Sequence, residues 1–478
     1  MIDNKINKIY ESVQYKQLIS RIQFVLFAIF LFVISTNITV PGINLEVWKQ
    51  FISSGGTLFA FFGLFTGGAL NNFAITSLGI IPYIDAAIIM QLLIAGFPQL
   101  AALQKEYGEE GRRKINFYTK WLAILIAILQ STFATITLYR INPSIFYDHS
   151  LLGLLVVIAS LVGGSMFLMY LADQINEKGI GNGSSILIFV SILFRLPRFI
   201  IDSVVSIGSN LLNNFLVIAI QIGFFILFVA VVAFLSLSIR KISIMITQRV
   251  FGGNKVLQQR STFLPLPLIA AGVLPIIFAV ALLYFPITIL QAFKINETII
   301  SNNAILSFIY KTIVPPTLVI PSEFNLNNLQ VFFGTLGWNL WHSIVYAILI
   351  MIFTYFYTFI IINVDDLSDY LNKSGAVILG IKPGQDTKVF LEQTLYKLAF
   401  ISGLALAFIT IAPPYVMYIL NWILSKITGV QELSLMGLVG YYISGSSMLI
   451  IVGVVLDILK QMNAFLVAAN PRELFKKY

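Results

Sequence analysis

Residues 65–93 read FTGGALNNFAITSLGIIPYIDAAIIMQLL. The opening part, through Asn72, carries two glycines, two asparagines and a threonine, too polar to lie in lipid and too apolar for an ordinary wet linker. From Phe73 onward the chain is an apolar run of membrane length that contains Pro82 and Asp85. Irregular backbone at membrane depth is tolerated where it is buried in protein or lines a water-filled cavity, so the stretch points to a membrane protein with an interior passage.

Composition agrees with that class. Of 478 residues 58% are hydrophobic and 11% charged, with 40 Phe and a mean hydropathy of +0.89, far from the balance of a soluble domain. Cysteine is absent, so neither a disulfide framework nor a thiolate metal site is on offer. The N-terminal MIDNKINKIYESVQYKQLISR is charged and mixed in sign, and the first apolar run ends at TNITVPG without a small-residue cleavage pattern. No removable signal or transit peptide is expected.

Ten apolar runs recur along the chain, at about 22–40, 73–97, 115–139, 151–172, 184–202, 212–238, 266–290, 339–362, 394–419 and 436–459. Each approaches the roughly 20 residues of helix that cross a hydrocarbon core of about 30 Å, and internal satisfaction of backbone polar groups makes them helices. With the N-terminus on the cytosolic or stromal side, about 23 of the 30 Lys and Arg fall on that face, the asymmetry of the positive-inside rule. Topology thus accounts for the net charge of +9 without nucleic acid. The chain divides into an N-terminal segment (1–21), a first half (22–202), a second half (203–459) and a tail (460–478).

Two features suggest how the halves are used. The second run opens GIIPYI (79–84) and the seventh holds GVLPII (272–277), a match of Gly, two apolar residues and Pro at equivalent places in oppositely oriented halves, as in inverted-repeat transport folds. Three basic connectors share one face: the first holds Arg112, Arg113 and Lys114; the second Arg249, Lys255 and Arg260, as a hairpin with its tip at Phe251–Asn254; the third Lys382 in the turn GIKPG (380–384). A docking surface and plain positive-inside bias both explain them.

The stretches FTGGALNNFAITSLGIIPYIDAAIIMQLL, EEGRRKINFYTK, LADQINEKGIGNGSSILIF, QRSTFLPLPLIAAGVLPIIFA and SGAVILGIKPG, in this order, closely resemble the SecY family of protein-translocase channel subunits, in wording similar to its plastid-encoded members. The resemblance runs from about residue 20 to 475. It implies an all-α clamshell of ten transmembrane helices in two inverted five-helix halves, hinged between the fifth and sixth runs. A central pore and a lateral gate between the second and seventh runs are implied with it; Pro82, Asp85 and Pro275 mark the gate. Residues 56–73 resemble the plug that blocks the pore at rest, with Gly63, Thr66, Gly67, Gly68, Asn71 and Asn72 as a soft piece, held only weakly. Ile80, Ile84, Ile188, Ile277 and Ile450 match the aliphatic pore ring, which excludes water by dewetting yet has no hydrogen-bond preference to detain a passing chain. Ser184 stands where many relatives carry an aliphatic residue, and Lys382 where they usually carry arginine, which alone offers a planar fork.

Implied partners are a SecE-type clamp, a SecG-type subunit, the SecA motor or a translating ribosome on the basic connectors, signal peptides and unfolded preproteins, a YidC/Alb-type insertase, and membrane lipids. The implied location is a plastid thylakoid membrane, with a bacterial plasma membrane as the alternative. Local chemistry adds little. His149 and His342 stand apart and read as interfacial, and GIGNGSS (179–185) lacks a Walker lysine. No nucleotide, cofactor, metal or covalent catalysis is expected. Asp85 on a membrane helix costs about 2.5–3.5 kcal/mol in lipid. It is expected to form a polar seam of the gate, accepting hydrogen bonds from Ser184, Ser185 or Asn182 across the pore; a helix-packing acid and a proton carrier are the other readings. At the level of function, a secondary small-molecule transporter and an insertase without full translocation compete. The connection 291–338 is longer than the resemblance accounts for.

Overall fold

The computed structural model describes residues 2–54, 66–106, 108–206, 211–248, 258–280, 282–283, 303–314, 326–428 and 445–469. Helix α1 (Ile2–Ser35) joins the N-terminal segment to the first apolar run without a break, and a short amphipathic α2 (Leu45–Ser54) comes next. The remaining helices of the first half are α3 (Ile81–Gly96), α4 (Pro98–Glu106), α5 (Gly108–Ile141), α6 (Leu151–Lys178) and α7 (Gly183–Ser206). The second half contains α8 (Leu211–Leu237), α9 (274–280), α10 (Ala304–Ile313), α11 (Leu326–Ile361), α12 (Val364–Lys373), α13 (Gln385–Thr428) and α14 (Gly445–Ala469). Among the described residues six helices are long and apolar enough to cross a membrane unaided, within α1, α5, α6, α11, α13 and α14. The shorter apolar helices α3, α7, α8 and α10 stand among them.

Helix ends reflect local chemistry. Ser150 caps α6 by accepting from the Gly153 N–H at 3.1 Å, and Asn363 caps α12 through the Asp365 N–H at 3.1 Å, each satisfying a donor that the first turn leaves unpaired. Pro98 comes directly after the last turn of α3, where Phe97 N–H closes on Leu93 C=O at 2.8 Å. The chain therefore stops and restarts there rather than running on as one helix.

Among the described residues, one small sheet lies outside the helices. The connector after α8 alternates buried Ile242 and Ile244 with exposed Ser243 and forms strand β1 (Ile239–Gln248), the period-2 pattern of a half-buried strand. It pairs antiparallel with β2 (Gln258–Pro267), from Ile239 opposite Pro267 to Gln248 opposite Gln258. On its other side β1 pairs with β3 (Ala376–Ile378), giving the order β2-β1-β3. Prolines 265 and 267 sit on the edge strand β2, where a missing ladder donor is tolerated. The expected seventh run accordingly begins later than 266: that residue is in β2, and helix resumes at 274. The helical architecture stands, with this sheet added at one end.

Among the described residues, three apolar clusters build the body. Ile242, Ile244, Leu371, Ile378, Leu391 and Leu395 bind the sheet to α12 and α13. At the opposite end Val40, Trp48, Phe73, Ile145 and Leu161 form a second cluster. The largest, between them, draws on α1, α3, α6, α7, α9, α11, α13 and α14, hence on both halves.

Candidate functional site

The middle cluster is organised by four glycines. Gly79 and Gly272 adopt φ of +61° and +60°, values that glycine reaches without the strain of a Cβ, and three residues later Pro82 and Pro275 are each the second residue of a helix. Gly183 and Gly445 start α7 and α14. A Cβ on Gly183 would lie 2.0 Å from the Ala172 carbonyl oxygen of α6, and one on Gly445 2.0 Å from that of Ile409 in α13. The start of α7 is thus pressed against α6, and that of α14 against α13. Five residues beyond these four glycines come Ile84, Ile277, Ile188 and Ile450.

Those four side chains and Ile80 are 8%, 7%, 1%, 2% and 2% exposed and share one contiguous apolar cluster. Ile80 and Ile84 are a turn apart on one face of α3, and the other three come from α7, α9 and α14. All five expected ring positions therefore fall in one buried apolar cluster that draws on both halves of the chain. The repeat between GSSILIF (183–189) and GSSMLII (445–451) carries this signal; the GIIPYI/GVLPII match covers only half of it.

Beside this cluster lies the half-polar stretch. Thr66 is 1% exposed, and a Cβ on Gly67 would meet the Phe32 ring at 3.0 Å and the Ser191 backbone of α7 at 3.3 Å. Residues Ala69–Asn72 make one 3-10 turn. This turn is held firmly. Val40 N–H donates to Phe73 C=O and Ile75 N–H to Ile38 C=O, both at 2.9 Å; the Trp48 indole N–H donates to Leu70 C=O at 2.8 Å, and the Trp48 and Phe73 rings meet edge-on at 4.7 Å. Asn72 donates to Asn37 at 3.3 Å. The expectation of a weakly held piece is corrected for residues 66–73, because backbone pairing with 38–40 and the fully buried Trp48 anchor them. Gly63 and the rest of 56–65 lie outside the described residues.

The expected gate residues divide. Pro82 and Pro275 are buried beside the ring. Asp85 accepts a hydrogen bond from Gln130 of α5 at 2.8 Å, not from the α7 start, where Ser184 Oγ and Ser185 N–H both bond Asn182 Oδ1 at 2.6 and 3.2 Å. The expected seam across the pore is thus replaced by packing within the first half. One residue past Ile84 turns the side chain about 100° around the helix, away from the ring and toward α5. A polar bridge between halves lies further along α3: the Tyr357 hydroxyl of α11 donates to Gln91 Oε1, while the Tyr357 ring meets Phe278 of α9 at 4.9 Å in a tilted contact. Sequence reasoning missed Gln91, although its position seven residues after Ile84 puts it on the ring face.

The basic groups form two sets. Arg112, Arg113 and Lys114 are exposed, with Lys114 3.2 Å from Glu110; they stand on the first turns of α5 and not in a loop, because Gly108, at φ +52°, lets the helix restart early. Lys382 is exposed beside β3, its carbonyl held by Thr387 Oγ at 3.0 Å. Arg260 lies on β2 opposite Ile246, so the second and third connectors are one sheet. Arg249, Lys255 and the tip Phe251–Asn254 lie outside the described residues. His149 meets Tyr139 at 5.8 Å, and His342 Nδ1 lies 2.8 Å from Thr312 C=O. Among the described residues no three His, Asp or Glu gather as metal ligands would.

The family model for SecY matches residues 74–459. Curated relatives include the protein translocase subunit SecY of Synechocystis, 32% identical over 92% of this chain and 90% of its own length, and that of Guillardia theta, 33% identical over 97% and 98%. Among solved structures, one described as a protein conducting channel aligns with a TM-score of 0.60 at 17% identity, covering 95% of this chain and 93% of that one. The Sec61 chain of a canine ribosome-channel complex from the endoplasmic reticulum aligns at 0.57 and 15%, covering 95% and 93%.

Proposed function

The chain belongs to the SecY family, and on that premise we propose how its geometry conducts a polypeptide. It is the pore-forming subunit of a protein translocase, an integral multi-pass membrane protein. Ile80, Ile84, Ile188, Ile277 and Ile450 form the constriction; the observation that carries this is their convergence from both halves into one buried cluster. β-Branched aliphatic groups make hydration of the closed ring unfavourable and give a translocating chain no fixed partner. Halves 22–202 and 203–459 separate along α3 on one side and α9 and α11 on the other, so a hydrophobic segment leaves sideways once the Tyr357–Gln91 contact opens. Residues 56–73 act as the plug, of which 66–73 form the anchored turn.

The reaction is transport without bond chemistry, and its energy comes from a partner. The exposed Arg112, Arg113 and Lys114 of α5, the sheet bearing Arg260 and the adjoining turn with Lys382 form the docking face, together with Arg249 and Lys255, for SecA or a ribosome. A SecE-type clamp, a SecG-type subunit and a YidC/Alb-type insertase complete the set, in a thylakoid membrane. Reversing both arginines, Arg112→Glu with Arg113→Glu, is expected to block export while the subunit still assembles. Normal export by that variant would remove α5 from the docking face.

The function itself is tested by crosslinking a stalled, signal-bearing chain to photoreactive residues at Ile188, Ile450 and Gln91. Contact at all three is expected of a translocase. Contact at Gln91 alone would make the protein an insertase, and contact at none a small-molecule transporter.

A further inference from the structure

The long connection between the seventh and eighth apolar runs contains α10, and this helix has two different faces. Asn303 caps it by accepting from Ile305 N–H at 3.1 Å. Ile313 is 4% exposed and, with Ile309 and Val314, packs into the middle cluster. Ile305 and Phe308 point outward, 72% and 49% exposed. The helix is fastened to α11: Trp341 Nε1–H donates to Thr312 Oγ at 3.1 Å, His342 Nδ1 lies 2.8 Å from Thr312 C=O, and Phe308 meets the rings of Trp338 and Trp341 at 5.8 and 6.0 Å. Lys311 stands over Trp338 at 5.4 Å.

Helix geometry sets the depth. The α11 helix ends at Ile361 beside the sheet cluster. At 1.5 Å per residue, His342 lies about 28 Å along the axis from that end, close to the ~30 Å thickness of a hydrocarbon core. Exposed Ile352, Ile348 and Ile344 form a stripe up α11, and the i, i+4 spacing keeps them on one face. The stripe runs directly to Leu340 and Trp341, and so to Phe308. An apolar surface that is continuous with a lipid-facing stripe, ends in indoles and carries one lysine matches the belt in which tryptophan and lysine sit at the membrane–water boundary.

We propose that α10, with the Trp338–His342 turn of α11, is an interfacial anchor seated in the lipid headgroup layer of the leaflet opposite the sheet. Because Ile309, Ile313 and Val314 also pack into the cluster that contains the ring, the anchor fixes the second half against the bilayer at its outer end.

The absence of cysteine makes the test direct. Ile305→Cys and, separately, Phe308→Cys carry the sole thiol of the full chain and take a nitroxide spin label in reconstituted liposomes. Lipid-soluble oxygen is expected to relax both labels more effectively than a water-soluble nickel chelate, at a depth of roughly 5–10 Å below the headgroups as for interfacial helices. In an Ile305→Cys chain also carrying Phe308→Asp, the label should shift toward the chelate. Relaxation dominated by the chelate in the parent, or exclusion of both reagents by a covering protein segment, would overturn the proposal, as would an Ile305 label unmoved by Phe308→Asp.

Discussion

Replacing Ile188 and Ile450 together with serine is expected to make the resting channel leak ions strongly while leaving the subunit assembled. These two are among the most buried members of the proposed ring, 1% and 2% exposed, and come from α7 and α14. Burying a side chain of this kind stabilises by about 1.5–3 kcal/mol, so exchanging two for hydroxyls lowers the cost of wetting the constriction by roughly 3 kcal/mol or more. With tenfold per 1.4 kcal/mol, resting conductance should rise on the order of 100-fold. Serine at Ile186, equally buried but turned elsewhere on α7, is the comparison. Planar-bilayer recordings in which both variants leak equally would place the barrier somewhere other than the ring.

A second large effect is expected from the smallest substitution available. Alanine at Gly183 and at Gly445 sets a methyl group 2.0 Å from a backbone carbonyl oxygen of the neighbouring helix, and a helix backbone cannot rotate aside as a flexible side chain can. Overpacking of this sort costs about 1–3 kcal/mol at each site, and displacement of α7 or α14 moves Ile188 or Ile450 off the ring. The double variant should lose protease resistance and most of its assembled yield. Gly163→Ala supplies the opposite sign: nothing lies within 4 Å of its added methyl, so removing a glycine from α6 should stabilise by about 0.5–1 kcal/mol. Thermal unfolding in detergent, read by fluorescence, distinguishes the two; a double variant that melts like the parent would mean the close approach is not required.

Legibility varied with the kind of information each residue carried. The five isoleucines are assigned through the family resemblance, and the common offset of four of them from a glycine is a local pattern that gains meaning only when the fold gathers them into one buried cluster. Asp85 could not be placed, since a polar group inside an apolar run signals only that a partner exists. Ser184, Ser185 and Asn182 were the expected donors, and the rotation of α3 against α5 supplies Gln130 instead. Gln91 was passed over for the same reason, as its partner lies 266 residues away.

By itself the sequence determined the membrane class, the apolar runs, the inverted pairing of two glycine–proline turns and the family, because each depends on hydropathy, spacing or short-range backbone freedom. Tertiary structure decided the rest. It joined two separate basic connectors into one sheet through the pairing of Ile244 with Ile378, and it converted the soft stretch 66–73 into an anchored turn through Trp48 and residues 38–40. It also fastened α10 to α11 through Thr312. Each of these rests on hydrogen bonds or ring contacts between segments distant in the chain, and a partner that exists only after packing leaves no periodic trace in the sequence.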